Sequence, residues 1–133
     1  MAVVKEEIAE FAVTKDDVLR LSQYHHTSCI TIYIPTHRVG AATLKGEDAL
    51  ALKNQLKEIR NKLYEQGLNA RQIEKLVNPV LSLVDDSDFW RHQAEGLAVF
   101  VSDDVFEKYT VPVSFEPFNY LSSEFYILPL LPL

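Results

Sequence analysis

A hydroxyl, an imidazole and a guanidinium follow one another where a strand-like segment stops. The segment is Ser28–Ile34, Pro35 ends it, and Thr36, His37 and Arg38 come next. Arginine can hold a phosphate through two parallel hydrogen bonds, and a threonine hydroxyl can add another. The same turn is compatible with the edge of an active site, with a small-ligand or nucleotide pocket, or with a polar turn whose arginine meets a nearby carboxylate. The residues alone leave these alternatives open.

A second set of polar residues lies on a predicted helix, Glu47–Gln66. Its apolar residues recur at the spacing of one buried stripe; they are Leu52, Leu56, Ile59 and Leu63. Lys53, Lys57 and Arg60 each follow a stripe residue by one position, and together they are called the basic row. A basic row along a helix can track a phosphate backbone. Lysine stems also commonly flank an apolar seam with their charges in water, so this interpretation stays open too.

Residue types that bind metals or act as nucleophiles are present, but their spacing is unfavourable. Cys29 and His37 lie at opposite ends of the predicted strand, roughly 25 Å apart at about 3.3 Å per residue, so they cannot share a metal ion or form a Cys–His pair. His25 and His26 complete no zinc-site spacing with them. The carboxylates within Asp85–Asp88 lack the glycine and glutamate of a calcium loop. We therefore expect no metal, no cofactor and no catalysis.

The elements that must position these residues follow in the order helix, strand, helical hairpin, three strands. This order predicts an α+β fold with an about four-stranded, mostly antiparallel sheet, on which an N-terminal helix and the helical hairpin pack. Thr14 should cap the first helix, which ends near Tyr24, and Asn69 should cap the second arm of the hairpin. Pro79 should break or kink that arm, and Val80, Leu81 and Val84 should continue its pattern to Asp85. The later strands are predicted at Gly96–Val101, Tyr109–Val113 and Glu124–Leu128.

Composition and charge limit the function classes. The chain has 133 residues, a net charge of −6 and one cysteine, which suits one cytoplasmic domain without a disulfide. Between Thr36 and Lys75 there are eight basic and five acidic residues, a net +3, which leaves −9 on the remainder. That asymmetry points to a polar partner on one side. The net charge of −6 argues against generic polyanion binding, so we expect no DNA as partner. We expect no membrane as partner, because the first residues, MAVVKEEIAEF, are acidic and no long apolar run occurs.

Four stretches, in this order, resemble one bacterial family. They are SCITIYIPTHR, LKNQLKEIRNKLYEQGL, DFWRHQAEGLAVFVS and FYILPLLPL. The family is that of the bacterial relatives of the archaeal and eukaryotic peptide release factors, in particular its third subfamily. The resemblance covers about Asp16 to Leu133. It implies that residues 1–133 are a single N-terminal domain, cut before a central release-factor-like domain, with residues 129–133 as the interdomain linker.

The resemblance also implies a translation-associated role. The domain would dock on the ribosome or on structured RNA, with the later domains of the same protein as further partners. Stop-codon reading is not implied, because the Asn-Ile-Lys-Ser motif of the release factors is replaced by GAATLKGEDALALKN. The Gly-Gly-Gln motif of peptide release belongs to their central domain, which this chain does not contain.

The family pattern includes the Pro-Thr-His-Arg turn and the pair Lys53 and Asn54. The expected RNA- or phosphate-contacting residues come from the residue chemistry described above, and they are Thr36, His37, Arg38, Lys53, Asn54, Lys57 and Arg60; the turn and Lys53 also belong to the family pattern. Two other readings stay open: a protein–protein or intramolecular scaffold, and a small-ligand pocket near His37 and Arg38.

Overall fold

The computed structural model describes residues 13–38 and 46–132. The helices in these ranges are α1 (Lys15–Gln23), α2 (Glu47–Glu65), α3 (Ala70–Val84) and the single turn α4 (Ser87–Trp90). The strands are β1 (His25–Pro35), β2 (Gly96–Ser102), β3 (Val105–Val111) and β4 (Phe118–Glu124), and a 3-10 turn follows at Leu128–Leu130. These strands form one antiparallel sheet in the order β3-β2-β1-β4, which confirms the predicted α+β class.

Two predictions concern residues outside the described ranges. The predicted loop from Thr36 to Gly46 falls mostly on residues 39–45, and the acidic opening falls on residues 1–11.

Strand β1 is central, and both of its faces are covered. Ile30, Ile32 and Ile34 are fully buried on the face that α2 and α3 cover. Cys29 and Tyr33 are buried on the opposite face. Because successive side chains of a strand alternate between faces, a strand covered on both sides needs apolar residues at nearly every position. The near-continuous apolar run of this segment meets that need.

The helical hairpin packs one stripe of each helix on the sheet. The predicted stripe of α2 is buried along its whole length, and its members are Leu52, Leu56, Ile59 and Leu63. Gly67, with φ at 93°, takes the left-handed conformation that lets the chain leave α2. Asn69 caps α3 as predicted, since its side chain accepts from the Gln72 N–H at 2.9 Å. Pro79 lies inside α3 without breaking it: the helix runs to Val84, as the continuing apolar pattern predicted, and buried Val80 and Leu83 hold it on the sheet.

Helix α1 and the C-terminal segment cover the other face of the sheet. Leu21 of α1 meets Phe125 and Leu130 in the second core cluster. The Tyr126 backbone is tied to β1, because its N–H donates to the Thr31 hydroxyl at 3.0 Å. The Tyr33 hydroxyl donates to the Tyr126 carbonyl. Of the predicted linker 129–133, Leu130 is thus part of this core; its role between domains stays a prediction.

The third and fourth strands begin earlier in the chain than predicted. Strand β3 covers Val105–Val111, because Asp103 and Asp104 form a two-residue turn that pairs Ser102 with Val105. Strand β4 covers Phe118–Glu124, and the more apolar residues 125–128 lie over the sheet face instead. An apolar segment buries more surface on the face of a sheet than along its open edge. Hydrophobicity favours residues 125–128 as the strand, but in the tertiary structure the less apolar segment Phe118–Glu124 forms β4.

The return from the hairpin to the sheet runs through α4. Asp86, in the acidic cluster of the sequence, caps this turn by accepting from the Phe89 N–H at 3.1 Å. Phe89 is buried, and the Trp90 indole N–H donates to the Leu83 carbonyl at 2.9 Å. Gln93 is buried and donates to the Phe89 carbonyl at 2.9 Å. Among the described helices, none combines the length and apolar character needed to cross a bilayer.

Candidate functional site

The turn after β1 is anchored to the residues that lead into β2. Thr36 is only 5% exposed. Its N–H donates to the Glu95 carbonyl at 3.0 Å, and its hydroxyl donates to the Ala94 carbonyl at 2.9 Å. A buried hydroxyl with its proton engaged in this way holds the backbone and does not face solvent. Of the predicted phosphate-contacting residues, Thr36 is therefore an anchor of the turn and not one of its exposed groups.

His37 is bonded to the first turn of α2 through Asp48. Its backbone N–H donates to Asp48 Oδ2 at 2.9 Å, and its Nδ1 lies 2.7 Å from Asp48 Oδ1. Asp48 is buried and is the second residue of α2, where a carboxylate also favours the helix dipole. Because an ionised carboxylate only accepts hydrogen bonds, the ring proton is assigned to Nδ1. In the neutral imidazole, Nε2 is then the acceptor nitrogen. The pair thus joins the turn to the helix.

This histidine–aspartate pair resembles two members of a catalytic triad. A triad also needs a hydroxyl or thiol bonded to the outer ring nitrogen. Among residues 13–38 and 46–132, no serine, threonine or cysteine side chain forms a hydrogen bond with the His37 ring. The described contacts of the His37–Asp48 pair therefore position the turn, and none of them joins the pair to a nucleophile.

Arg38 is exposed beside a carboxylate. Its Nε donates to Glu95 Oε1 at 2.6 Å, and the two side chains are 67% and 45% exposed. Guanidinium carries five N–H donors, so the two terminal nitrogens remain without a partner among the described residues. Exposed ion pairs of this kind contribute little free energy, roughly 0–1 kcal/mol. Arg38 can therefore exchange Glu95 for a phosphate at small cost.

The two lysines of the basic row are exposed, and Arg60 is half-buried and paired. Lys53 and Lys57 are exposed, and neither has an ion pair or hydrogen bond within the described part of the chain. Arg60 instead pairs with Glu74 of α3, and this hydrogen bond lowers the pKa of the Glu74 carboxyl. Asn54, next to Lys53, is also exposed. The row thus offers two available ammonium groups and one guanidinium that is already engaged.

The turn after β1 is bonded to the helix that carries the basic row. His37 contacts Asp48 at the start of α2, and Lys53 and Lys57 follow five and nine residues later. At about 1.5 Å rise per residue, they lie roughly 7.5 and 13.5 Å farther along the axis. The turn is therefore bonded to the first turn of α2, and the two lysines lie farther along the same helix. The sequence alone did not show this, because residues 39–45 separate the two elements.

Other residues with metal-ligand chemistry are held in separate contacts. His25 Nε2 lies 3.6 Å from Glu124 Oε2, and His26 Nε2 lies 3.4 Å from Asp103 Oδ2. Cys29 is fully buried, and burial raises the pKa of its thiol. Within the described ranges, no three side chains of His, Cys, Asp or Glu lie close enough to hold a metal ion.

Four residues of this surface were not among the site residues predicted from the sequence. Three are the carboxylates Asp48, Glu95 and Glu74, which occupy His37, Arg38 and Arg60. Their partners come from other elements, so no local spacing could have shown them. The fourth is Tyr64, whose side chain is 73% exposed. Its position four residues after Arg60 was a visible signal, since such residues share a helix face.

Comparison of the chain with models of known protein families and with curated proteins finds no match. The function must therefore be argued from this surface and from the resemblance of the sequence motifs.

Proposed function

We propose that this chain is a non-catalytic docking domain of a release-factor-like, translation-associated protein, and that α2 contacts ribosomal or other structured RNA without reading a stop codon. The association with translation rests on the resemblance of the motifs. The RNA contact rests on the surface of α2. In this proposal the later domains of the same protein are further partners, and the domain acts in the cytoplasm.

The observation that carries the proposal is the pair of available ammonium groups on α2. Lys53 and Lys57 lie one turn apart, are exposed, and have no acidic partner among the described residues. In a chain of net charge −6, both arginines of the site, Arg38 and Arg60, are bonded to carboxylates. Two unpaired cations one turn apart on a helix favour a polyanion over a single small anion.

The proposal is tested by co-sedimentation of the 133-residue chain with 70S ribosomes at low and at physiological salt. The wild-type chain should pellet, and it should pellet less as salt rises, because phosphate contacts release counterions. The double variant Lys53→Glu/Lys57→Glu should lose pelleting at physiological salt. In binding titrations its log–log salt slope should be smaller by about 2, roughly one for each lost phosphate contact.

A matched control distinguishes the effect of charge at these two positions from the effect of the net charge of the chain. Lys15→Glu/Arg91→Glu changes the net charge by the same amount on two exposed side chains of α1 and of the segment after α4. This control should pellet as the wild type does. Equal loss in both double variants would show a nonspecific charge effect, and unchanged pelleting of the α2 variant would refute the proposal.

A second candidate function is contact with another protein or with later domains of the same chain. It is favoured by three exposed leucines on the opposite side of the sheet, Leu19, Leu128 and Leu131. Two of them, Leu19 and Leu131, line a cavity of about 310 Å³ between α1 and the 3-10 turn. Clustered exposed apolar residues often mark protein contacts. If this surface carries the docking, Leu131→Glu should abolish co-sedimentation while the α2 double variant retains it.

The third reading, a small-ligand pocket near His37 and Arg38, stays a prediction. Both side chains already hold carboxylates there, Asp48 and Glu95.

A further inference from the structure

The most exposed large aromatic or apolar side chain of the described residues is Tyr64, at 73%. Within those residues its ring has no aromatic partner and its hydroxyl has no hydrogen bond. The core position of this turn belongs to its neighbour Leu63, which is fully buried. Tyrosine is also a weaker helix former than alanine or lysine. Neither packing nor helix propensity therefore explains a tyrosine at this position.

Tyr64 continues the basic row. It follows Arg60 by four residues and Lys57 by seven, and both spacings return to the same side of an α-helix. Along the axis it lies roughly 10.5 Å beyond Lys57 at about 1.5 Å per residue. One edge of α2 thus presents, in order, two available ammonium groups, a guanidinium paired with Glu74, and an open aromatic ring.

Of the four acidic residues of α2, Glu47 and Asp48 lie in its first turn, ahead of Lys53, and Glu65 follows Tyr64 directly. Glu58 lies on the side of the helix that faces β4, where it accepts a hydrogen bond from Asn119 Nδ2 at 3.2 Å. Asp48 is buried against His37. The Glu74 carboxylate of α3 contacts the row at Arg60, which neutralises it. The edge therefore complements a chain of phosphates along its length and offers an apolar, planar surface at its end.

We infer that Tyr64 is a stacking platform for an unpaired RNA base, and that α2 binds a single-stranded or looped RNA segment whose phosphates lie on Lys53 and Lys57. This inference rests on the proposed function and specifies its ligand. Lysines alone would contact paired and unpaired RNA alike. A ring on a helix surface can stack only on a base that is free of its own helix.

The test compares two RNA probes by fluorescence anisotropy with the 133-residue chain. One probe is a labelled single strand of about 12 nucleotides, and the other is the same strand annealed to its complement. Tyr64→Ala should weaken binding of the single strand by about 5- to 150-fold, the range expected for loss of one stacked base. It should change binding of the duplex less than about twofold. Tyr64→Phe keeps the ring and should bind both probes as the wild type does.

The variants also separate the two proposals. If Tyr64→Ala binds the single strand as tightly as the wild type, the stacking inference is wrong; the RNA-docking proposal survives provided that Lys53→Glu/Lys57→Glu still weakens both probes. If the lysine variant leaves both probes unchanged, the docking proposal fails, and the inference fails with it. If Tyr64→Phe weakens binding as much as Tyr64→Ala, the hydroxyl and not the ring makes the contact, which also overturns stacking. Because Tyr64 is exposed, all its variants should keep the thermal unfolding midpoint of the wild type.

Discussion

Removal of the Asp48 carboxylate should destabilise the chain far more than removal of the Glu95 carboxylate, although both hold residues of the same turn. Asp48 is 8% exposed and accepts two hydrogen bonds from His37, at 2.9 and 2.7 Å. A hydrogen bond to a charged group contributes roughly 1.5–3 kcal/mol. The His37 side chain is 42% exposed, so the second bond is discounted. Asp48→Ala should therefore lower the free energy of unfolding by about 2–4 kcal/mol.

The Glu95 side chain is the exposed counterpart of buried Asp48 in this comparison. It is 45% exposed and its partner Arg38 is 67% exposed, so solvent screens the pair. Glu95→Ala should lower the free energy of unfolding by no more than about 1 kcal/mol. The Thr36 bonds to the backbone of Ala94 and Glu95 are independent of that side chain and should remain.

Urea unfolding followed by far-UV circular dichroism measures both effects. With a slope of about 2 kcal/mol per molar urea, Asp48→Ala should lower the midpoint by roughly 1–2 M, and Glu95→Ala by no more than about 0.5 M. His37→Ala removes the imidazole bond and keeps the backbone bond, so its effect should fall between the two. If His37→Ala is as destabilising as Asp48→Ala, or if Asp48→Ala matches Glu95→Ala, the reasoning from burial and bond count is refuted.

Three further predictions concern stability. Gly96→Ala should cost at least about 2 kcal/mol in urea unfolding, because its Cβ would lie 2.2 Å from the Val113 carbonyl oxygen and the backbone must move; wild-type stability would show that this approach relaxes freely. Pro79→Ala should raise the unfolding midpoint temperature, corresponding to a gain of up to about 3 kcal/mol, because it restores an N–H inside α3; no gain would mean that the packing of α3 requires the proline. Burial raises the pKa values of Tyr33 and Tyr109, so the folded chain keeps protons that the unfolded chain releases near pH 10. Stability should be fully present below about pH 10 and fall as pH rises above it, and Tyr33→Phe should flatten the alkaline decline in a pH series of thermal unfolding.

Local patterns were sufficient for the elements whose periodicity and end signals agree. The sequence of strand β1 is an apolar run that stops at Pro35, and β1 is one of the two interior strands of the sheet. Helix α2 shows its buried stripe in the spacing of its leucines, and Asn69 marks the start of α3. In each case the residue types that favour the element are also those that pack it, so the local and the tertiary preferences coincide.

Local patterns were insufficient where two segments competed for one place. Residues 125–128 are more apolar than Phe118–Glu124, yet the latter form β4. The choice depends on the far face of the sheet, where Leu21 and Tyr33 need a cover that only a neighbouring apolar segment can supply. At Pro79 the apolar pattern and the proline gave opposite signals, and burial of Val80 and Leu83 outweighs the missing N–H.

For the candidate site, the sequence by itself determined which groups are present and which of them share a helix face. It placed Lys53 and Lys57 together, because helical spacing is a local property. Only the tertiary structure decided which of the charged groups are available. Arg60 is engaged by α3, Arg38 by a residue that precedes β2, and His37 by the first turn of α2. The availability of a cation depends on the carboxylates that the fold brings beside it, and those lie up to 57 positions away along the chain.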